Sequence, residues 1–234
     1  MSCILHIETA TETCSVAVSQ DGAVIYDDVA TEGRSQAAKL GGMVKKALDF
    51  TDDHAIPFDA VAVSEGPGSY TGLRIGVSMA KGVCYGRGLK LLAVPTLKVM
   101  CVPLLLREQD PLPEGALLCP MIDARRMEVY AAVYDRALRE VVPTKAVVVD
   151  ANSFAEQLER GPVYFFGTGA AKCKDVIAHP NAHFVDGIVP LARNMCPLAE
   201  MAHARGEVKD VAYFEPFYLK DFVTTVSKKN ILNT

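Results

Sequence analysis

The sequence predicts a mixed α/β protein of two lobes, and three features of the chain indicate it. The first third has the pattern of three strands followed by helix, strand, helix and strand. A polar, proline-bearing segment at 107–115 (REQDPLPEG) then interrupts the apolar pattern. Beyond it the chain starts again with two strands joined by a short turn. We therefore expect one lobe over residues 1–108 and a second over 109–234, whose terminal segment can pack back on the first.

The strands of the first lobe are predicted from short apolar runs bounded by turn residues. Asp21-Gly22 is a strong hairpin signal between two of these runs. Pro95 ends the last of them. The predicted strands are 3–8, 14–19, 23–30, 59–63 and 89–94.

Two helices are predicted in the same lobe. The first covers 35–50, where Ser35 is a candidate N-cap and apolar residues recur with helical spacing. The second covers 73–87 and follows the loop SEGPGSYTG, in which Ser69 or Thr71 can cap the helix.

The second lobe has weaker signals. A terminal segment from Phe214 is expected to be a mobile or docking end. Strands are predicted at 117–122, 128–134 and 163–166, with another ending at 147–150, and helices at 153–159 and 191–205.

Composition indicates a folded cytoplasmic protein. Half of the 234 residues are apolar and 22% are charged, which excludes a disordered chain. The seven cysteines are odd in number and form no CxxC, a pattern of reduced, mostly buried thiols. Neither a signal peptide nor an apolar run of bilayer length is recognisable.

The net charge argues against a protein that binds nucleic acid without partner proteins. The net charge is −4, and phosphate binding needs a basic face. The pairs Arg125-Arg126 and Lys228-Lys229 are short and have the pattern of solvated surface.

Three motifs carry a family resemblance. They are ILHIETATETCSVAV (4–18), EGPGSYTGLRIGVSMAKGV (65–83) and MIDARRMEVYAAVY (121–134), with a weaker match at EPFYLKD (215–221). In order and extent they resemble the TsaB (YeaZ) family over most of the chain. The resemblance implies an actin/sugar-kinase/Hsp70-like (ASKHA) fold with a degenerate second lobe.

The second motif is shared with TsaD, the catalytic relative. The choice between TsaB and TsaD therefore depends on a metal-binding motif that this chain lacks. TsaD-like enzymes carry an HxxxH metal pair after the fifth strand, and those positions align here with Thr96 and Met100. Threonine and thioether are poor substitutes for two imidazoles. No metal site is therefore expected.

The resemblance implies a scaffold that activates TsaD in the threonylcarbamoylation of adenosine 37 of tRNA. TsaE would join the complex, tRNA would be bound only through it, and the chain would need no cofactor and no membrane. Alone, the same surface could be buried in a homodimer.

The residues themselves offer little for catalysis. The segment 8–12 has no glycine for a phosphate loop, and neither does 123–126. Gly167-Thr168-Gly169 is either a nucleotide-contacting turn or, more commonly, a tight strand-to-helix turn. Ser69 has no recognisable base, and His179 and His183 flank Pro180 in a predicted loop. A glycoprotease-like activity therefore has no catalytic support.

Small residues recur every four positions along the second helix, at Gly72, Gly76 and Ala80. Such a stripe either packs tightly inside the chain or admits a partner helix. TsaB-like proteins pair with TsaD through the first two helices, which favours the second alternative. The candidate contacts are Leu40, Met43, Val44 and Ala47 on the first helix and Gly72, Arg74, Ile75, Gly76, Ser78, Met79 and Ala80 on the second.

Three other functions stay open at this point. A small ATP-dependent kinase of the same superfamily would bind nucleotide alone. A metallopeptidase or carbamoyltransferase acting alone would purify with iron or zinc. A direct tRNA-binding module would show salt-dependent binding without partners.

Overall fold

Two β-sheets form the frame of the structure, a computed structural model that describes residues 2–31 and 36–219. The strands of the first sheet are β1 (Cys3–Glu8), β2 (Cys14–Gln20), β3 (Ala23–Ala30), β4 (Ala60–Gly66), β5 (Lys90–Pro95) and β11 (Val208–Lys209). Those of the second are β6 (Leu117–Asp123), β7 (Glu128–Tyr134), β8 (Glu140–Val148), β9 (Val163–Phe166) and β10 (Ala182–Val185).

The two sheets repeat one topology. The first has the order β11-β5-β4-β1-β2-β3 and the second β10-β9-β6-β7-β8. In each, three antiparallel strands follow one another along the chain, and two parallel strands are then added beside the first. This duplication is the arrangement expected of the ASKHA fold.

Helices show how the second lobe is reduced. The helices are α1 (Gln36–Asp53), α2 (Tyr70–Arg87), α3 (Thr96–Leu105), α4 (Ala155–Arg160) and α5 (Cys196–Ala204). Between equivalent strands, α1 has 18 residues and α4 has six. Likewise α2 has 18 residues, whereas the second lobe has a 3-10 turn of three, Ala171–Cys173. The second lobe therefore has the strands of the first without its long helices.

The two faces of the first sheet pack against different parts of the chain. Odd-numbered residues of β1, such as Leu5 and Ile7, pack with α1 and α2. Ile4, on the opposite face, packs with Met195 and Ala199 of the C-terminal part. Helix α3 contacts both sheets, with Val99 packed beside Ile4 and with Leu97 and Cys101 packed on the second sheet. Residues beyond 190 thus return to the first sheet through α5 and β11, and the boundary at 108/109 stays a prediction.

Several expectations are confirmed, whereas one helix and two strands (α3, β10 and the two-residue β11) were not predicted. All seven cysteines are buried and free, and Ser69 Oγ accepts the Gly72 N–H at 3.2 Å as the N-cap of α2. Helix α3 was missed, and so was β10, so the loop predicted around His183 is wrong. Ser35 lies outside the described residues, as do residues 220–234 of the tail. Among the described helices, none is long and apolar enough to cross a membrane.

Candidate partner-binding surface

Helix α2 is delimited by clear signals at both ends. Ser69 caps its start, and Gly88 ends it in the left-handed region at φ 66°, with its N–H bonded to the Cys84 carbonyl. Between them, one side of the helix faces the first sheet and the other faces solvent. Its buried residues are Gly72, Leu73, Gly76, Val77, Ala80 and Cys84.

The small-residue stripe faces inward. Gly72, Gly76 and Ala80 are all buried in the chain itself. At Gly76 a Cβ would lie 2.2 Å from Thr9 Oγ1, so the helix approaches the β1–β2 turn as closely as glycine allows. Packing on the chain's own core therefore explains this stripe, and its three residues are covered in the isolated chain.

The four candidates on α1 are also internal. Leu40 and Ala47 are 0% exposed, Val44 2% and Met43 5%. They belong to the core that holds α1 on the first sheet. In the isolated chain they are therefore covered, like the stripe, and their contact with a partner stays a prediction.

The remaining candidates lie on the outer face of α2. Arg74 and Ser78 are exposed, and Ile75 and Met79 are half-buried. Together they line an open groove of ≈ 760 Å³, whose other lining residues are Tyr70, Thr71, Gly82 and Val83. An apolar groove with polar residues at its edge is typical of a protein contact.

Tyr70 and Arg74 organise one end of this groove. Arg74 Nη1 donates to the Tyr70 hydroxyl at 2.8 Å, and its guanidinium carbon lies 5.4 Å from the centroid of the Tyr70 ring. The guanidinium is thus held against the Tyr70 side chain while the arginine stays exposed.

A segment of the C-terminal part, residues 210–218, runs along the same helix, and we call it the strap. Lys81 Nζ donates to the carbonyls of Ala212 at 2.9 Å and Phe214 at 3.0 Å. Further along, the Phe217 N–H donates to the Glu65 carbonyl at 2.7 Å. At its end, the ring of Tyr218 lies 4.8 Å from the ring of Tyr70. The strap therefore borders the groove and is fixed to α2 at both ends.

The strap and α2 enclose a second, smaller recess of ≈ 550 Å³. Gly82 lines both the recess and the groove, so the two are adjacent. The other residues of the recess are Lys81, Tyr85, Asp210, Val211 and Ala212.

Exposed aromatic rings are concentrated here. Tyr85 is 88% exposed and Tyr213 85%, and Phe217 and Tyr218 are also exposed. These are all of the exposed aromatic residues in the described part of the chain. Sequence reasoning missed them, although the aromatic-rich run AYFEPFYL (212–219) is a recognisable signal.

The acidic residue at the end of β1 is poorly placed for nucleotide chemistry. Glu8 is fully buried, and its Oε1 accepts the Ala10 N–H at 2.7 Å. Burial raises the pKa of this carboxyl to about 7, against the effect of that hydrogen bond. The side chain is part of the core and reaches no open cleft.

The glycine pair of the second lobe is likewise explained by packing. A Cβ at Gly167, where φ is 103°, would lie 2.4 Å from the Met121 carbonyl oxygen. A Cβ at Gly169 would lie 2.8 Å from Val129. Both glycines are required by the close approach of this turn to the sheet, which is the commoner of the two explanations.

Potential metal ligands are scattered. No group of three or more His, Cys, Asp or Glu that could hold a metal occurs among the described residues. His183 stacks on Tyr164 with the ring centroids 4.9 Å apart, and His179 Nδ1 accepts the Asn181 N–H at 3.1 Å. Thr96 is buried and accepts the Gly66 N–H at 3.2 Å, while Met100 lies in the core beside the second sheet.

The chain is similar in sequence and in structure to several known proteins. Residues 31–227 match the family model described as TsaD, tRNA N6-adenosine threonylcarbamoyltransferase. The chain is 32% identical over 229 residues to the tRNA threonylcarbamoyladenosine biosynthesis protein TsaB of Escherichia coli (strain K12), covering 94% of this chain and 95% of that protein. Identity to the protein of the same name from Haemophilus influenzae is 26% over 233 residues, covering 94% of each. The solved structure of YeaZ from Pseudomonas aeruginosa matches with a TM-score of 0.75 and 29% identity, covering 94% of this chain and 100% of that chain.

Proposed function

The chain belongs to the TsaB (YeaZ) branch of the TsaD family, and on that premise we propose that it is a non-catalytic subunit in the threonylcarbamoylation of adenosine 37 of tRNA. In this role it binds TsaD and holds it in an active arrangement. TsaE joins the complex, and tRNA is bound only through the complex.

The observation that carries the proposal is the apolar groove on the outer face of α2. It is open, it is lined by Ile75 and Met79, and it lies beside the strap and its exposed rings. A surface of this kind is stabilised when another protein covers it. When no TsaD is present, a second copy of the chain can cover it in a homodimer.

Catalytic degeneracy is supported by where the residues lie. The Glu8 carboxyl is in the core, and the hydroxyl of Thr96 is bonded to the Gly66 N–H. A buried carboxyl and a buried hydroxyl that already accepts a backbone N–H are poorly placed as ligands for a nucleotide or a metal. The chemistry is therefore assigned to TsaD, and this chain contributes a contact surface.

Association with TsaD from the same source tests the proposal. Wild-type chain should co-elute with TsaD in size-exclusion chromatography, and Ser78→Arg should weaken the complex by about tenfold or more because it fills the groove without touching the core. Ala155→Arg adds the same side chain at an exposed position on α4 and is the matched control. A wild-type chain that never associates with folded TsaD would refute the proposal. Equal binding by Ser78→Arg would move the contact away from α2.

Threonylcarbamoylation of a tRNA transcript supplies the functional readout. Product should require both TsaD and this chain, and should fall in the Ser78→Arg reaction as the complex does. The chain without TsaD should form no product. Product formed by the chain alone would show it to be an enzyme.

A further inference from the structure

The turn between β6 and β7 has an unusual backbone for its sequence. Arg125 has φ 71° and Arg126 has φ 47°, so two successive residues with side chains occupy the left-handed region. The β2–β3 hairpin has two positive φ values as well, at Asp21 (49°) and Gly22 (80°), and uses the residues that tolerate them best. Arginine has no such tolerance, so the β6–β7 turn keeps two arginines at a cost in stability.

The base of this turn is clamped. Lys172 Nζ forms an ion pair with Asp123 and donates to the Glu128 carbonyl at 2.7 Å, which ties together the two strands. Asp123 Oδ1 also accepts the Arg125 N–H at 2.9 Å. Burial disfavours the charged form of Asp123, but these hydrogen bonds prevail and lower the pKa of its carboxyl. The Asp123 carboxylate, two residues before Arg125, is thus already neutralised by Lys172.

The two guanidinium groups are left without a partner in the described part of the chain. Both side chains are exposed, and neither forms an ion pair or a side-chain hydrogen bond with a described residue. A rigid turn that holds two unpaired guanidiniums outward, in a backbone conformation that arginine disfavours, is suited to an external anion.

We propose that the Arg125–Arg126 turn binds phosphate groups of the tRNA backbone when this chain is in its complex with TsaD, an inference that rests on the function proposed above. Guanidinium groups bind phosphate oxygens in a bidentate manner, which an ammonium cannot do. The chain as a whole carries a net charge of −4. Its contribution to RNA binding therefore has to be local, and it has to act together with the partner's own contacts.

The experiment uses the complex of this chain with TsaD and a fluorescent tRNA substrate, titrated at several salt concentrations. The variant is Arg125→Gly/Arg126→Gly, which removes both guanidiniums and suits the left-handed backbone. Arg136→Ala/Lys145→Ala removes the same charge from exposed positions of the same lobe and is the control. The glycine variant should raise the Kd for tRNA by about tenfold and reduce the slope of log K against log salt by about 2. The control should change neither by a comparable amount.

The thermal stability of the isolated chain gives an independent readout. Because glycine relieves the disfavoured backbone, the Tm of the glycine variant should rise by about 2 °C while RNA binding falls. Unchanged tRNA affinity in an intact complex would overturn the inference and leave the proposed function standing. Loss of TsaD association in the glycine variant would show that the arginines contact the protein partner, which also overturns it. If the wild-type chain forms no complex, the proposed function fails and this inference fails with it.

Discussion

The Thr9 hydroxyl lies directly against Gly76. A Cβ at position 76 would fall 2.2 Å from Thr9 Oγ1, well inside contact distance. Thr9 is fully buried immediately after β1, and Gly76 lies within α2. This contact determines how closely the helix approaches the first sheet, and therefore how its outer face is presented.

We predict opposite effects for alanine at two glycines of α2. Gly76→Ala should lower the free energy of unfolding by about 1–3 kcal/mol, because the added methyl overlaps Thr9 in a close-packed interior. Gly82→Ala should raise it by roughly 0.5–1 kcal/mol, because a Cβ there meets nothing within 4 Å and alanine favours the helix. Urea unfolding of the two variants measures both changes.

A second substitution, at Thr9, tests whether the contact with Thr9 causes the loss of stability in Gly76→Ala. In Thr9→Ala/Gly76→Ala the overlapping hydroxyl is gone, and the Thr9 Cβ lies 3.4 Å from the added methyl. This double variant should recover part of the stability lost in Gly76→Ala. If Gly76→Ala is as stable as Gly82→Ala, the close approach of Thr9 does not limit the packing.

The glycine spacing of α2 could be recognised from sequence. Whether the glycines pack inside the chain or against a partner could not. A stripe of small residues satisfies either an internal contact or a partner helix, and both require the same spacing. The choice depends on Thr9, which is far away in the chain and meets Gly76 only when the sheet and helix are assembled. Arg74 and Ser78, also chosen as candidate contacts, are exposed because they are on the opposite side of the same helix, which the spacing alone could not decide.

Lys81 should control the order of the strap. Lys81→Met removes the ammonium that donates to the Ala212 and Phe214 carbonyls but keeps the apolar stem. Losing about 1 kcal/mol of local stability should speed exchange of the Phe217 amide, which is bonded to the Glu65 carbonyl, by about fivefold. Hydrogen exchange followed by mass spectrometry measures this.

Lys45→Met is the matched control for the strap. Lys45 is exposed on α1 and pairs only with Asp49 among the described residues, one helical turn away. Its replacement should leave exchange in residues 210–218 unchanged. Equal exchange of the Phe217 amide in wild type and Lys81→Met would mean that the strap is held by its other contacts.

Glu8 should make the protein less stable as pH rises. Burial raises the pKa of this carboxyl from 4.5 to about 7, so the folded state binds the proton more tightly than the unfolded chain. The unfavourable effect is absent below pH 4.5, grows between pH 4.5 and 7, and is complete above pH 7. Glu8→Gln should therefore be more stable than wild type at pH 8, by up to about 3 kcal/mol, and show a smaller difference at pH 4.5.

His6 has the opposite dependence and supplies the control. Burial lowers the pKa of its ring from 6.5 to about 3, so its effect on stability becomes more favourable as pH rises between these values. Between pH 4.5 and 6.5 the effects of Glu8 and His6 on the free energy of unfolding offset each other in wild type. In Glu8→Gln only the effect of His6 remains, so the free energy of unfolding should rise with pH over this range. Urea midpoints from pH 4 to 8 test this, and a pH-independent difference between Glu8→Gln and wild type would contradict it.

Helix α3 and strand β10 show why some elements escape sequence reasoning. Helix α3 is apolar on almost every side, so it lacks the amphipathic period of a surface helix. It also contains Pro103, and proline usually ends helices. Strand β10 has only four residues, and its partner β9 lies across a long connection. The hairpin of β6 and β7 was predicted because its alternation and its turn are local signals.

The exposed rings beside the groove should contribute to the contact with TsaD. Tyr85 and Tyr213 are 88% and 85% exposed, and Tyr85 lines the recess adjacent to the groove on α2. Aromatic residues at such positions commonly carry much of the binding energy of an interface. We expect Tyr85→Ala/Tyr213→Ala to raise the Kd for TsaD by about tenfold or more, with little change in stability, because neither ring is buried in the free chain.

Leu106→Ala/Val148→Ala is the control for these rings. Both residues are 70% exposed, and they lie outside α2 and the strap, so their loss should leave the Kd unchanged. Calorimetric titration of TsaD with each variant measures the affinities, and thermal unfolding verifies the folded state. If both double variants bind TsaD as wild type does while Ser78→Arg does not, the contact is confined to the helix and the strap only supports it. Loss of binding in the tyrosine variant alone would extend the contact surface from α2 across the strap.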